Sequence, residues 1–338
     1  MDTVKQERFT ELDALRGFAA LAVVLFHYSS HTVRYFHDFP FRFTVGEHGV
    51  QLFFCISGFV IFWTLERSKT VADFAFSRFT RLFPTYWTAI AVMGMMSLAH
   101  FGDPFWPRGY LVNATMLQTF LRFPDVDIVY WTLAVELVFY FWMAVLYAAG
   151  QLGRIVLVSG IWLALSAASG IAGRYVDVPG WLNTYLILPH IPFFIAGTMF
   201  YLIWKARPQR GHIATILCAC IAAGLTGGWR KVLVACVVFT VFGIALTGRL
   251  RLLVNPVTIW LGAISYALYL THRNAGYEVL AALNRLGVPS TVSVALALIG
   301  ALALASAITY GVEQPTLALL RGWYKRRKVR AAATETLS

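Results

Sequence analysis

The sequence predicts an all-α polytopic membrane protein of about ten transmembrane helices in one bundle. Three observations predict it. Of 338 residues, 59% are hydrophobic and 13% charged, with a mean hydropathy of +0.66, outside the range of a soluble domain this long. The apolar residues fall in separate runs, most near the roughly 20 residues that cross a bilayer. The basic residues gather in every second connection, as the positive-inside rule requires of a multi-spanning chain. A net charge of +12 would suggest nucleic acid in a soluble protein. Here the charge belongs to the membrane surface, and no nucleic-acid partner is expected.

The first run, 13–30, follows Asp2, Glu7, Glu11 and Asp13 instead of a basic leader and reads as an uncleaved span. The further spans are expected at 49–65, 84–100, 130–149, 155–173, 185–204, 212–228, 232–247, 257–275 and 291–312. Pro84 opens the third, and Glu313 and Pro315 close the tenth. The segment 110–121 is apolar on one side but too short and polar to cross, so it reads as interfacial or re-entrant. The tail 313–338, with its WYKRRKVR run, reads as a cytoplasmic topology anchor on anionic lipid. The whole of 1–338 is expected to form a single domain. Ten spans place both termini on the cytoplasmic side, together with Lys5, Arg8, Arg67, Lys69, Arg78 and Arg81. Basic residues on that side, counted along the whole chain, outnumber those opposite, such as Arg34, Arg42 and Arg108, by about two to one. Cys55, Cys218, Cys220 and Cys236 all lie in apolar runs and read as small hydrophobes, with no disulfide and no metal site.

Several ionisable residues interrupt this apolar background. In LDALRGFAALAVVLFHY, Arg16 and His27 are eleven residues apart, close to three whole helical turns, so both project from one face about 16 Å apart. Arg16 could snorkel to the interface and His27 could bridge two helices, and this bland reading stands level with a functional one. In FAFSRFTRLFPTYW, Arg78 and Arg81 are three apart on an amphipathic turn. The pair makes a fork for phosphate; taken alone, a positive-inside anchor is the favoured reading, and the aromatic residues around the pair weigh against it. In YWTLAVELVFYFW, Glu136 sits deep in a span. A carboxylate there needs a partner, and Arg16, His27 or a cytoplasmic arginine are the available ones. GAISYALYLTHRNAGY sets Ser265, Tyr266 and Tyr269 at helical spacing, with His272 near the far end of the ninth span. Glu313 in TYGVEQP reads as a helix stop or a functional acid with equal weight. NAT at Asn113 matches a glycosylation acceptor, a short and weak pattern.

Six of these stretches, in this order, resemble the acyltransferase 3 family of integral membrane O-acyltransferases, in particular members that acetylate exopolysaccharides and other surface glycans. They are LDALRGFAALAVVLFHY, GVQLFFCISGFVIF, FAFSRFTRLFPTYW, YWTLAVELVFY, ISYALYLTH and VEQP, and the resemblance runs from Leu12 to about Pro315. It implies transfer of an acyl group, commonly acetyl from acetyl-CoA, to a hydroxyl of a carbohydrate or lipid-linked glycan at the inner membrane. By matching motifs it implies His27 as the catalytic histidine, Arg16 as its motif partner, and Arg78 and Arg81 as the pair tied to donor binding. This chain departs from the family pattern at Gln51, Leu137 and Arg273, where the family often carries an acid, a second acid and a tryptophan. These departures leave the reaction type standing and bear on the acceptor.

Acyl transfer to an alcohol needs a base, for which His27 is the candidate, with Glu136 as the buried acid of the catalytic set. It also needs donors for the oxyanion, for which Ser265, Tyr266, Tyr269 and His272 are candidates by residue type. The alternative from another class is a permease or flippase in which Arg16, His27 and Glu136 line a substrate or proton path. The lack of an internal repeat weighs against it.

Overall fold

A computed structural model describes residues 9–30, 39–98 and 107–335. Asp2, Lys5, Glu7, Arg8 and Arg34 of the charge pattern, and residues 99–100 of the third expected span, lie outside the described residues. Apolar runs leave the backbone no partner but itself in lipid, and they form helices throughout, with no strand among the described residues. The helices are α1 (Thr10–Ser30), α2 (Gly49–Arg67), α3 (Val71–Leu98), α4 (Arg108–Ala114), α5 (Trp131–Ala148) and α6 (Ile155–Ala172). They continue with α7 (Gly180–Leu186), α8 (Ile191–Ala206), α9 (Arg210–Leu246), α10 (Pro256–Arg285), α11 (Ser290–Ile308) and α12 (Gln314–Glu335).

Seven helical segments are long and apolar enough to cross a membrane. The described parts of the expected spans fall on helices, except that 185–204 passes from the end of α7 into α8 across a break at Ile187. α9 holds two of them, because it is broken at Gly228, whose φ of 74° and ψ of −173° only glycine adopts readily. α3 and α10, richer in polar residues, fall outside the seven.

One expectation is corrected here. Pro84 does not open a helix: it lies inside α3, which starts at Val71, so Arg78 and Arg81 belong to one continuous helix. Nearby, Thr80 donates to the Ser77 carbonyl at 3.2 Å and Thr88 to the Pro84 carbonyl at 2.8 Å. At the start of the tail Glu313 is buried and closes a π-helical turn, Thr309–Glu313, which leads directly into α12. Asn113 is also fully buried, donating to the carbonyls of Gly109 at 2.9 Å and Pro124 at 3.0 Å. An amide held inside by two backbone acceptors is no glycan attachment site.

The chain packs as two compact units that interleave in sequence. The first takes the chain to Phe26, Arg42–Val71 and Trp131–Ala263. There α2 packs on α8 through glycines: a methyl group on Gly58 would overlap the Phe194 carbonyl, and one on Gly197 the Cys55 carbonyl. Without a hydrophobic drive between helices in lipid, such close backbone approach supplies much of the packing energy. Phe54, Phe139 and Phe194 stack behind it. The second unit takes His27–Phe41, Ala72–Tyr130 and the chain from Ile264 onward. Its core joins the end of α1 to α3, α10 and the segment leading into α5.

Candidate active site

In the second unit, His27 lies near the end of α1, half-buried, and its Nδ1 is 3.1 Å from Nε2 of His272 on α10. The ring centroids are 4.9 Å apart, with the planes at 61°. His272 is fully buried. Its Nδ1 faces two carbonyls of its own helix, Tyr269 at 2.9 Å and Leu268 at 3.1 Å. The neighbouring Tyr28 donates its hydroxyl to the His272 carbonyl at 2.7 Å. Gly276, one turn further along α10, makes room for that phenol, since a methyl group there would overlap the Tyr28 ring. The histidines that the sequence placed in separate roles are therefore hydrogen-bonded to each other.

The tyrosines beside His272 are tethers in this geometry. Tyr266 donates to the Leu82 carbonyl at 3.1 Å and Tyr269 to the Val129 carbonyl at 3.2 Å. Ser265 is fully buried on the same helix. A hydroxyl proton given to a carbonyl braces α10 against its neighbours. Beyond them, Asp127 is buried just before the start of the α5 segment. It accepts from the Asn274 amide at 3.1 Å, the Val129 amide at 3.2 Å and the Arg273 guanidinium at 3.4 Å. Burial outweighs the pull of Arg273 and these amides and lifts the Asp127 carboxyl to about 6. This acid pins the turn of α10 that follows His272, and the sequence reading missed it. Its only local signal was an acid next to an apolar run, which is common at helix starts.

The arginine face of α3 is in the same unit. Arg78 and Arg81 are both half-buried, but their company differs. Arg81 forms an ion pair with Glu313 and lies 5.5 Å from the Tyr266 ring centroid. Arg78 donates to Ser77 at 3.1 Å. Two motifs separated by more than two hundred residues, FAFSRFTRLF and VEQP, thus meet through a carboxylate and a guanidinium. α12 packs along the start of α3: Tyr324 stacks on Phe76 at 4.0 Å and donates to Asp73 at 2.9 Å, and Lys328 pairs with Asp73.

The first unit holds Arg16 and Glu136. Arg16 is half-buried on α1, with no ion-pair partner among the described residues. Glu136 accepts two short hydrogen bonds at 2.5 Å, from Ser57 on α2 and from Tyr140 one turn along α5. Its partners are hydroxyls, where the sequence reading looked for cations. Tyr140 follows Glu136 by four residues and was readable from helical spacing. Ser57, across a helix interface, was not. Among the described residues no group of three or more His, Cys, Asp or Glu is placed to hold a metal ion.

A family model described as an acyltransferase domain matches residues 9–310. The chain belongs to the acyltransferase 3 family. It is 29% identical over 298 residues to the exopolysaccharide production protein ExoZ of Rhizobium meliloti (strain 1021), covering 82% of this chain and 91% of that protein. It is 22% identical over 289 residues to the putative acetyltransferase ORF330 of Acidianus two-tailed virus, covering 80% and 84%. A shorter match, 27% over 148 residues, joins it to the acyltransferase MdmB of Streptomyces mycarofaciens, covering 39% and 38%. No solved structure matches. As an acyltransferase 3 protein the chain is a multi-pass membrane acyltransferase. The His27–His272 contact, the Arg81–Glu313 pair and the Glu136 site all lie within or at the edge of the matched region.

Proposed function

We propose that this acyltransferase moves an acyl group, acetyl in the first instance, from cytoplasmic acyl-CoA to a hydroxyl of a carbohydrate or cell-surface glycan. It does so from the inner membrane with both termini cytoplasmic. The observation that carries the reading is the half-buried His27 ring held at 3.1 Å by a second histidine: a spanning helix carries a positioned base within an acyltransferase family. His27 takes the proton of the acceptor hydroxyl as that oxygen attacks the thioester carbonyl. The C–S bond then breaks, and His27 returns the proton to the leaving thiolate. Arg78 and Arg81 meet the donor's phosphates, for which guanidinium forks are suited, and Glu313 orients Arg81. Arg16, on the face of α1 that carries His27, and Glu136, held by Ser57 and Tyr140, complete the charged set. The acceptor hydroxyl approaches near His27. ExoZ, an exopolysaccharide production protein by name, supports a surface polysaccharide as its source.

The test is thioester cleavage and acyl transfer by the purified protein, with acetyl-CoA and a polysaccharide acceptor. His27→Ala should lower transfer by about 10²-fold or more while leaving the protein folded. Transfer retained in His27→Ala overturns the base assignment. A wild-type protein that moves solute across vesicles without consuming thioester is a permease.

A further inference from the structure

The donor and acceptor roles of His272 follow from what surrounds it. Nδ1 faces two backbone carbonyls, at 2.9 and 3.1 Å, and a carbonyl only accepts. Nδ1 must therefore carry the proton. Flipping the ring would set a carbon against both carbonyls and forfeit both bonds. In a neutral imidazole the other nitrogen is then the acceptor, so His272 Nε2 presents a lone pair to His27 Nδ1 at 3.1 Å. His27 Nδ1 must in turn be N–H, which leaves the acceptor lone pair of His27 on Nε2.

We infer that His272 is a positioning residue that fixes His27 as its Nδ1–H tautomer, so that Nε2 of His27 is the atom that receives the acceptor's proton. The inference rests on the proposed role of His27 as base and deepens it. The relay runs from the carbonyls of Leu268 and Tyr269, through His272, to His27. When His27 Nε2 takes the hydroxyl proton, the imidazolium keeps its Nδ1–H on His272. That bond shortens and strengthens as the donor becomes charged, and His272 remains neutral, with its own N–H shared between two carbonyl dipoles. When the thiolate leaves, the proton on His27 Nε2 passes to sulfur and the starting tautomers return. No proton leaves through His272. Its backbone is fixed as well, since Tyr28 donates to its carbonyl at 2.7 Å, tying the residue after His27 to the helix that carries the relay. Without an acceptor at His272 Nε2, nothing in this contact keeps the proton on His27 Nδ1, and the tautomer with Nε2–H blocks the base.

Two measurements on the full-length protein in detergent test this. In wild-type protein labelled with ¹⁵N-histidine, with His27→Gln used to assign the signal, neutral His27 should show a protonated Nδ1 and an unprotonated Nε2. In His272→Leu, which removes the acceptor, the turnover number should fall by about 10²-fold or more, the scale of losing a correctly oriented base. KM for acetyl-CoA and for the acceptor should stay within about threefold, since a positioning residue binds neither. His272→Gln, whose side-chain oxygen can reach the position of Nε2, should recover at least tenfold of the loss. A neutral wild-type His27 with its proton on Nε2 overturns the inference, even if His27 remains the base. So does a His272→Leu protein with wild-type turnover. If His272→Leu fails to fold, the wild-type tautomer alone decides. Transfer surviving in His27→Ala instead sinks the base reading itself.

Discussion

Arg78 and Arg81 match the same motif, but their surroundings give them different liabilities. Arg81 neutralises Glu313, which is 5% exposed. Removing the guanidinium leaves a buried carboxylate uncompensated, a change that costs about 3 kcal/mol or more in a buried pair. Arg78 donates to the Ser77 hydroxyl at 3.1 Å. Arg78→Ala should weaken CoA binding by about tenfold or more, the 1.5–3 kcal/mol of a charged hydrogen bond. Arg81→Ala should lose both affinity and stability. Adding Glu313→Gln to Arg81→Ala should restore the stability but not the affinity, and Arg→Lys at either site should rescue only in part. Calorimetric titration with CoA and thermal melts of the five variants check this. Unchanged CoA affinity in both alanine variants makes the arginines membrane anchors. The charge and spacing of this pair were legible in the sequence. The carboxylate that separates their roles was not, because its partner lies 232 residues away and nothing local links them.

At the scale of elements, the contact between α1 and α10 in the second unit is set by one missing side chain. A helical glycine is ordinarily destabilising by about 1 kcal/mol relative to alanine, so Gly276→Ala on an open helix face would stabilise. Here the added methyl would overlap the Tyr28 phenol, and overpacking of this kind costs about 1–3 kcal/mol. Gly276→Ala should lower the melting temperature. It should also lower transfer, because Tyr28 adjoins His27 and its hydroxyl bonds to the His272 carbonyl. A melt at or above wild type would show that Tyr28 moves aside freely. The elements themselves were legible, since apolar length is written locally; the expected span 185–204 is the exception, passing from the end of α7 into α8 across a break. What a local rule could not read is tertiary context. Pro84 lies inside α3, which starts at Val71. The basic tail forms α12, where Tyr324 and Lys328, four apart, meet Phe76 and Asp73 on α3. Asn113 matched a surface pattern yet spends its amide on two carbonyls inside the fold.

For the whole molecule, the basic residues set an orientation and α1 sets a depth. α1 is continuous from Thr10 to Ser30, so the register between Arg16 and His27 is that of one unbroken helix. If it enters the hydrocarbon near Asp13, Arg16 stays within about 5 Å of the cytoplasmic edge, and His27 lies about 21 Å into a core about 30 Å thick. The base then sits past the midplane while the arginines of α3 stay with the cytoplasmic charge. A multiply charged nucleotide pays heavily to leave water. The slender acyl-bearing arm of the proposed donor does not, so on this proposal the nucleotide would remain on the cytoplasmic face, the thioester would reach inward, and the acceptor hydroxyl would meet it from the outer half. In sealed vesicles with the C-terminus on a known side, acetyl-CoA on the cytoplasmic face should acylate a polysaccharide confined to the opposite face, and acetyl-CoA added opposite should not. Transfer that requires both substrates on the cytoplasmic face overturns the through-membrane geometry, and a C-terminus labelled from outside overturns the orientation on which it rests.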